Sequence, residues 1–477
     1  MKFKQILVFG IVMILMTGAL STQAASLLSY PAREPWLNEI VDDISQVSLG
    51  QHVSIDHYDY NGRAYVSYYD ETNGNLKLAY EVDPGSGNCP ENADWNCELV
   101  DDGQSVAGNR DVGLYSSIDL IDEMLNLPDS TEFHYPKIGI SYYDADRHSL
   151  NFAQKSCVLS KGVPSCSWTI TEVDHTSSDS LDFTPPYLTG KYSSMYYESD
   201  GKPVIFYQVS MGSTIGKVKR AKLTTNTMGS CESGWMCDVI AEGNQELFGK
   251  YISAAGGMVA FYDGSQKRLV LAQPFPVGSS GSCGLPNNWY CLTIDDVDDV
   301  GRSASLHYDG SHPLQVAYYD AKNGRVKFAV RVGEGKGNCG TENTFRCIDV
   351  DTATNWPLLI QFLGLSLTLD AGGRPVIAYQ KIVDGESDLM LARPAYVYGN
   401  DAGNCGGYPP GSSSIYWQCD VLDDGASFSN EGDYVAISVN PTGLAAVAYY
   451  EFNEFYNRGR LKVAQQHFTV YLSLIMK

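Results

Sequence analysis

The chain has 477 residues, of which 44% are hydrophobic and 19% charged, and its formal net charge is −23. That balance supports a packed core and excludes a disordered chain, while the acid excess repels nucleic acid and anionic lipid. With 46 glycines and 32 tyrosines, the composition is that of a turn-rich β protein.

Lys2 and Lys4 precede the apolar run Ile6 to Leu20, and Thr22-Gln23-Ala24-Ala25 offers small residues for cleavage. Residues 1–25 therefore read as a secretory signal peptide, too short for a membrane anchor and with no nearby cysteine to accept a lipid. The expected location is secreted or cell-surface, with no integral membrane span after cleavage and a monomeric chain.

Residues 26–466 read as one repeated body. A tyrosine-rich strand motif recurs seven times, at Tyr68-Tyr69-Asp70, Tyr142-Tyr143-Asp144, Phe206-Tyr207-Gln208, Phe261-Tyr262-Asp263, Tyr318-Tyr319-Asp320, Ala378-Tyr379-Gln380 and Tyr449-Tyr450-Glu451. Each copy is followed by a hairpin partner, and these end at Ala79, Ala153, Ala221, Ala272, Ala329, Ala392 and Ala464. The intervals are too long for solenoid turns and suit four-stranded units with variable loops. In the fifth copy Ser305-Leu306 opens a first strand, and Leu314 to Asp320 alternates as a second. Asn323-Gly324 signals a tight turn into Arg325 to Arg331, and Cys347 to Asp351 makes a fourth strand. The second repeat carries an insertion at Leu125 to Tyr135 and the fourth is shortened at Gly256-Gly257, both read as loop changes.

The fourth strand has the signature Cys-x-x-(Val/Ile/Leu)-Asp at Cys97 to Asp101, Cys291 to Asp295, Cys347 to Asp351 and Cys419 to Asp423. After Cys166 the run is longer and reaches Asp174, and after Cys237 the acidic place holds Ala241. Trp95, Trp235, Trp289 and Trp417 lie at or near the second cysteine, where they read as packing between units. Trp36 to Asp43 matches Trp95 to Asp102, with Asn38 at the cysteine place, so the chain opens on an orphan fourth strand. The last repeat lacks one. Pairing the two ends predicts an all-β, seven-bladed propeller of four-stranded antiparallel blades, closed by its N-terminal strand so that no sheet edge is left exposed.

The 12 cysteines fall into local pairs, Cys89/Cys97, Cys157/Cys166, Cys231/Cys237, Cys283/Cys291, Cys339/Cys347 and Cys405/Cys419. Recurrence at one place per repeat predicts six local disulfides, each contributing roughly 2–3 kcal/mol by chain entropy. Zinc is disfavoured because each pair stands apart from other ligands.

In such a ring the motif ends Asp70, Asp144, Asp263, Asp320 and Glu451 share a face with Asp42, Asp101, Asp174, Asp295, Asp351 and Asp423 and with the long connecting loops, opposite the cysteine loops. These carboxylates could cap their own turns, or could form an acidic mouth for a cation, a basic peptide or sugar hydroxyls. Asp70, Asp144, Asp263, Asp320 and Glu451 are the candidate ligand-binding residues. No cofactor is expected; Asp144-Ala145-Asp146 and Asp295 to Asp299 are the runs a calcium ion would seek, without the spacing of a calcium loop. The chain has no His-Glu-x-x-His, no Gly-x-Ser-x-Gly and no phosphate-cradling glycine loop, and no catalytic residue is assigned.

Gly201-Lys202-Pro203 and Gly373-Arg374-Pro375, each followed by a Val-Ile-x-Tyr type strand, resemble repeats of secreted bacterial seven-bladed propellers over about residues 36–466. The fold this implies is similar to that of sialidases. The chain lacks their Ser-x-Asp-x-Gly-x-Thr-Trp turn, and no positions match their arginine cluster or tyrosine nucleophile. The leading expectation is an extracellular, non-enzymatic binding or scaffold propeller that recognises a glycan, peptide or surface partner through its acidic loop face. The alternative is a glycan-active enzyme using carboxylates there. Residues 467–477 form a short apolar tail like those of some secreted repeat proteins.

Overall fold

The structure is a computed structural model that describes residues 36–467, apart from 45–46, 106–107, 129, 176–186, 225–230, 233, 276–280, 285–287, 356–362, 384, 396–402, 407–415 and 426–428. The expected signal peptide, residues 1–25, and all of the expected tail beyond His467 lie outside the described residues. Among the described residues no helix is long and apolar enough to cross a membrane.

Seven antiparallel four-stranded sheets form the blades of the ring. Blade 1 is Leu49–His57, Ala64–Asp70, Asn75–Glu81 and Trp95–Asp101, from first strand to fourth. Blade 2 is Val112–Asn126, Glu132–Asp144, Ser149–Ser160 and Val163–His175; blade 3 is Tyr187–Tyr197, Pro203–Met211, Ile215–Leu223 and Trp235–Gly243. Blade 4 is Phe248–Ala255, Met258–Asp263, Arg268–Pro274 and Trp289–Asp295; blade 5 is Val300–His307, Gln315–Asp320, Arg325–Arg331 and Phe345–Thr352. Blade 6 is Leu365–Leu369, Pro375–Val383, Glu386–Ala395 and Tyr416–Asp423. Blade 7 takes Ser429–Val439, Ala445–Asn453 and Arg458–Gln466 from the C-terminal end and Trp36–Asp42 from the N-terminal end. The orphan strand closes the ring, and Asn38, at the cysteine place, donates its side-chain amide to the Leu422 carbonyl at 2.7 Å. All six predicted disulfides form between the local pairs.

Register corrects one alignment. The residue facing the place two before each alanine partner's level fixes equivalence: Val66 pairs with Ala79, Ile205 with Ala221 and Ile377 with Ala392. Tyr207 and Tyr379 therefore match Tyr68, the first tyrosine of the motif, and Gln208 and Gln380 match the second. A period-2 strand conceals a one-residue slip when both neighbours are aromatic or apolar, as in Phe206-Tyr207. Corrected, the first place reads Tyr68, Tyr142, Tyr207, Phe261, Tyr318, Tyr379 and Tyr449.

All of these first-place side chains except Phe261 tie their blade to the one before by a hydrogen bond. Tyr68 donates to Asp42, Tyr142 to Asp101, Tyr207 to Asp174, Tyr318 to Asp295 and Tyr379 to Asp351 at 2.5–2.7 Å, and Tyr449 donates to Asp423. A lysine joins most of these pairs: Lys77, Lys219, Lys327 and Lys462 reach the same carboxylate from the third strand. In blade 6 Lys381 does so from the second strand, at 2.7 Å. Burial, reinforced by the neighbouring carboxylate, holds these phenols well above their ordinary pKa, so they remain donors. The N-terminal strand supplies Asp42 at the closing interface, so the seam is built like an ordinary blade junction.

Three further contacts repeat. Trp235, Trp289 and Trp417 meet Phe152, Phe206 and Phe328 of the preceding blade edge to face, with centroids 5.5–6.0 Å apart. Cysteine loops lean on the preceding fourth strand; Thr341 Oγ1, for instance, accepts the Thr293 amide at 2.9 Å. Near the axis, Ser54, Ser117, Ser194, Ser253, Ser305 and Ser366 each accept an amide of the next blade's first strand at 2.9–3.2 Å. At the seam Ala436 takes the serine place, and Ser438 bonds His57 Nδ1 at 3.0 Å instead.

Two turns differ from expectation. Residues 125–135 are no loop: the first hairpin of blade 2 lengthens as a continuous ladder to Asn126 and Glu132. The Asn-Gly signal does not give a two-residue turn, because Asp320 pairs with Arg325 and only Gly324 is left-handed, with φ 65°. Asp320 Oδ1 accepts the Lys322 and Asn323 amides at 3.0 Å and so shapes a four-residue turn. Two-residue turns of the mirror-image hairpin class occur instead at Gly256-Gly257, with φ values of 55° and 83°, and at Lys161-Gly162, with 54° and 81°.

Removing Asp295 would strand buried Lys327, so Asp295→Ala should cost about 3–5 kcal/mol in urea unfolding. Tyr318→Phe removes only a donor and should cost about 1–2 kcal/mol. Equal, negligible losses in both would show that the junction is not held by this triad.

Candidate functional site

The predicted carboxylates share the face of the second-to-third turns, but their oxygens face inward. Asp70, Asp144, Asp263, Asp320 and Glu451 are each 4% exposed or less. Asp70 accepts the Asn73 amide, Asp144 those of Asp146 and Arg147, and Asp263 those of Ser265 and Gln266, at 2.9–3.3 Å. Glu451 instead faces Arg460 at 2.6 Å and Lys462 at 3.0 Å. The fold distributes the five around the ring, one to a blade, and brings no two of them into direct contact. Beside Glu451, Glu431 is fully buried 3.7 Å from Lys462, and burial pushes its carboxyl up to about 8. Asp144 and Asp146 do not converge as calcium ligands, since Asp144 Oδ1 caps the Asp146 amide. Asp295 lies in its triad, whereas Asp298 and Asp299 pair with Lys322 and Arg302.

The axis holds a different constellation. Five first strands carry glycine, any residue, then a ring: Gly50-Gln51-His52, Gly113-Leu114-Tyr115, Gly190-Lys191-Tyr192, Gly249-Lys250-Tyr251 and Gly432-Asp433-Tyr434. Blade 5 has Gly301-Arg302-Ser303, and Gly364 stands at the ring place of blade 6. The glycine is forced. At Gly190, φ is 113° and an added Cβ would lie 2.7 Å from the Leu150 backbone of the preceding blade. The next residue but one is also left-handed, with φ of 51° at His52, 55° at Tyr115, 53° at Tyr192 and 54° at Tyr251. For a non-glycine residue that conformation costs roughly 1–2 kcal/mol.

The result is an arc of half-buried rings around the axis. Tyr434 and His52 are 4.5 Å apart, His52 and Tyr115 4.6 Å, Tyr115 and Tyr192 4.6 Å, and Tyr192 and Tyr251 5.2 Å between centroids. The second tyrosine of the strand motif backs the arc within its own blade: Tyr69, Tyr143, Tyr262 and Tyr450 stand 6.0–6.3 Å from His52, Tyr115, Tyr251 and Tyr434. Burial lowers the His52 imidazole to about 3, which keeps it neutral at physiological pH. Lys191 and Lys250, from neighbouring blades, stand at the arc's rim. Burial first, then the like charge of Lys250, depresses the Lys191 ammonium. Its Nζ lies 5.6 Å from the Tyr143 ring centre. Sequence reading missed this arc, although Gly-x-ring-x-Ser was visible in four blades; the unequal spacing to the tyrosine motif hid it.

Farther along the same first strands, Asp56 and Asp119 lie within hydrogen-bond reach of each other. Asp56 accepts the His57 and Leu120 amides at 2.8 and 3.0 Å, and Asp119 accepts the Tyr197 amide at 2.5 Å. Burial, with the adjacent carboxylate, raises Asp56 well above its ordinary range, and burial lifts Asp119 to about 6. Two carboxyls sharing a proton can perform acid–base chemistry, but these are bound to backbone amides and splice three first strands. Among the described residues, Glu172, His175 and Glu232 also converge, with His175 Nδ1 3.0 Å from both glutamates. Their ion pairs account for that arrangement.

No family model and no curated protein matches the chain. Solved structures do. A structure of AofleA from Arthrobotrys oligospora aligns with 10% identity over 90% of this chain and 86% of that one, at a TM-score of 0.38. A sialidase from Trypanosoma rangeli aligns with 8% identity over 91% of this chain and 60% of its own, at 0.43. A protein of unknown function from Dyadobacter fermentans aligns with 11% identity over 92% of this chain and 99% of that one, at 0.39. At these scores the likenesses carry no functional argument; the fold itself is a seven-bladed β-propeller, stated on the sheet topology above.

Raised carboxyl pKa values have a fixed sign in stability. Between about 3.8 and 6 the unfolded chain releases the Asp119 proton while the folded chain retains it, so folding weakens as pH rises through that window. Asp56→Asn can still accept the Leu120 amide and can donate to Asp119, so it should flatten that fall. Urea unfolding from pH 4 to pH 7 would show parallel curves for parent and variant if the pair shared no proton.

Proposed function

We propose that the protein is an extracellular, non-enzymatic binding propeller that recognises a glycan at the axial mouth of the face carrying the second-to-third turns. The left-handed, half-buried aromatic arc carries this reading. Strain of this kind persists where a conformation is used, and five blades hold it at one place, four of them with a ring and the fifth with Ser303. Ring faces give sugars a flat apolar platform, and their hydroxyls, with Lys191 and Lys250, give hydrogen-bond donors. The lysine pair suits a sugar bearing a carboxylate or sulfate. On the same face the blade 7 turn presents Phe455 and Tyr456, 74% and 64% exposed, as a second platform.

The enzyme reading has less support. The repeated carboxylates are bonded to tyrosines, lysines or their own turns, and the Asp56–Asp119 pair lies closer than two carboxyls flanking a glycosidic bond. Six disulfides fit an oxidising, extracellular setting. A membrane-anchored or protein-bound state at the cell surface would use the same mouth.

A glycan array with a panel of chromogenic glycosides tests the proposal. Binding to acidic glycans without turnover is expected, and Tyr192→Ala should weaken it by at least about tenfold, the usual effect of losing an aromatic anchor. Turnover of any glycoside, abolished by Asp119→Asn, would replace this reading with the enzyme. Binding of a peptide ligand alone would replace the glycan.

A further inference from the structure

Three departures from the repeat meet at the junction of blades 2 and 3. In the fourth strands, the place two before the aspartate place holds Ile40, Leu99, Val239, Thr293 or Val421 in five blades and Asp349 in blade 5, but Glu172 in blade 2. The place after the aspartate is acidic in five blades and Thr352 in a sixth; in blade 2 it is His175. The residue after the first cysteine is glycine in blades 4, 5 and 6, whereas blade 3 has Glu232. Ion pairs account for how these side chains sit, but not for why one junction gathers all three.

Their ligand atoms converge. His175 Nδ1 lies 3.0 Å from Glu172 Oε1 and 3.0 Å from Glu232 Oε1, and the three atoms all lie within 4.8 Å of one another. Tetrahedral zinc separates nitrogen and oxygen ligands by about 3.3–3.6 Å, so each histidine contact has to open by only a fraction of an ångström. The backbone fixes all three. Glu172 and His175 pair with Asn151 and Ser149 in the blade 2 ladder, and the Glu232 amide, next to the Cys231–Cys237 disulfide, donates to the Val173 carbonyl at 3.2 Å. Arg147 Nη1 holds Glu172 Oε2 at 3.2 Å, which leaves Oε1 facing the imidazole.

The donor set selects the ion. One imidazole nitrogen with two carboxylates suits zinc with water in the fourth position, and falls short of the six or more oxygens that calcium takes. The three side chains are 27–41% exposed, so an ion can enter from solvent. We propose that Glu172, His175 and Glu232 form a zinc site that clamps blade 2 to blade 3 at the outer strands, with His175 binding through Nδ1 and carrying its proton on Nε2. The site is separate from the axial arc and does not depend on it. Asp174, Cys231 and Cys237 also converge, but disulfide-bonded sulfurs are not thiolate ligands.

Isothermal titration of the full-length, disulfide-bonded protein with zinc chloride tests this directly. One saturable site is expected, weaker than a four-ligand structural site, with a dissociation constant of about 10 μM or below, and calcium chloride should bind at least tenfold more weakly. His175→Ala and Glu232→Gln should each weaken zinc binding at least tenfold. Zinc should also raise the urea midpoint of the parent protein and leave that of Glu232→Gln unmoved, which keeps the test open should His175→Ala fail to fold. No saturable zinc binding by the parent, equal affinity for calcium, or unchanged zinc affinity in whichever variant folds would overturn the proposal.

Discussion

The bond between a first-place tyrosine and the aspartate that ends the preceding blade is the constraint on which the ring depends. A propeller blade is a small sheet that cannot bury both faces alone, so stability is decided at the junctions. Apolar packing between blades is abundant but nondirectional. The Asp–Tyr–Lys triads add direction, because a buried phenol, ammonium and carboxylate satisfy one another in a narrow geometry. Asp42 extends this to the seam, where the partner strand comes from the far end of the chain. Closure is thus specified by chemistry as well as by the number of strands.

From that frame two consequences follow. Where the motif holds two rings the work is divided: the first faces the previous blade, and in blades 1, 2, 4 and 7 the second supports the arc. The carboxylates that give the sequence its acidic character are largely internal ligands of this frame. Their recurrence reflects structure, and chemistry has to be sought where blades depart from one another. Departures occur at the axial rim of blades 3 and 4, at the aromatic turn of blade 7 and at the junction between blades 3 and 4, where Ala241, Phe248, Phe261 and Val270 pack in place of polar partners.

Much of the fold was legible in the sequence because its signals are local and repeated. The alanine-ended hairpins, the paired cysteines and the match of Trp36–Asp43 to Trp95–Asp102 each require only neighbouring residues or a copy of them. What was not legible depended on register and on long-range approach. Phe206-Tyr207 and Ala378-Tyr379 could be aligned either way until Ile205 and Ile377 were seen opposite alanine. The glycines of the first strands are required by the backbone of a different blade, which nothing local announces. The extended hairpin of blade 2 was read as a loop because charged and apolar residues alternate there on a strand with both faces partly exposed.

Backbone hydrogen exchange on full-length protein and on Asp42→Ala tests the central claim most directly. If the triad closes the ring, the variant should lose protection selectively in Arg458–Gln466 and Leu49–His57, the strands beside the seam, while blades 3 to 5 keep theirs. Unchanged protection at the seam, or a uniform loss around the whole ring, would contradict the account.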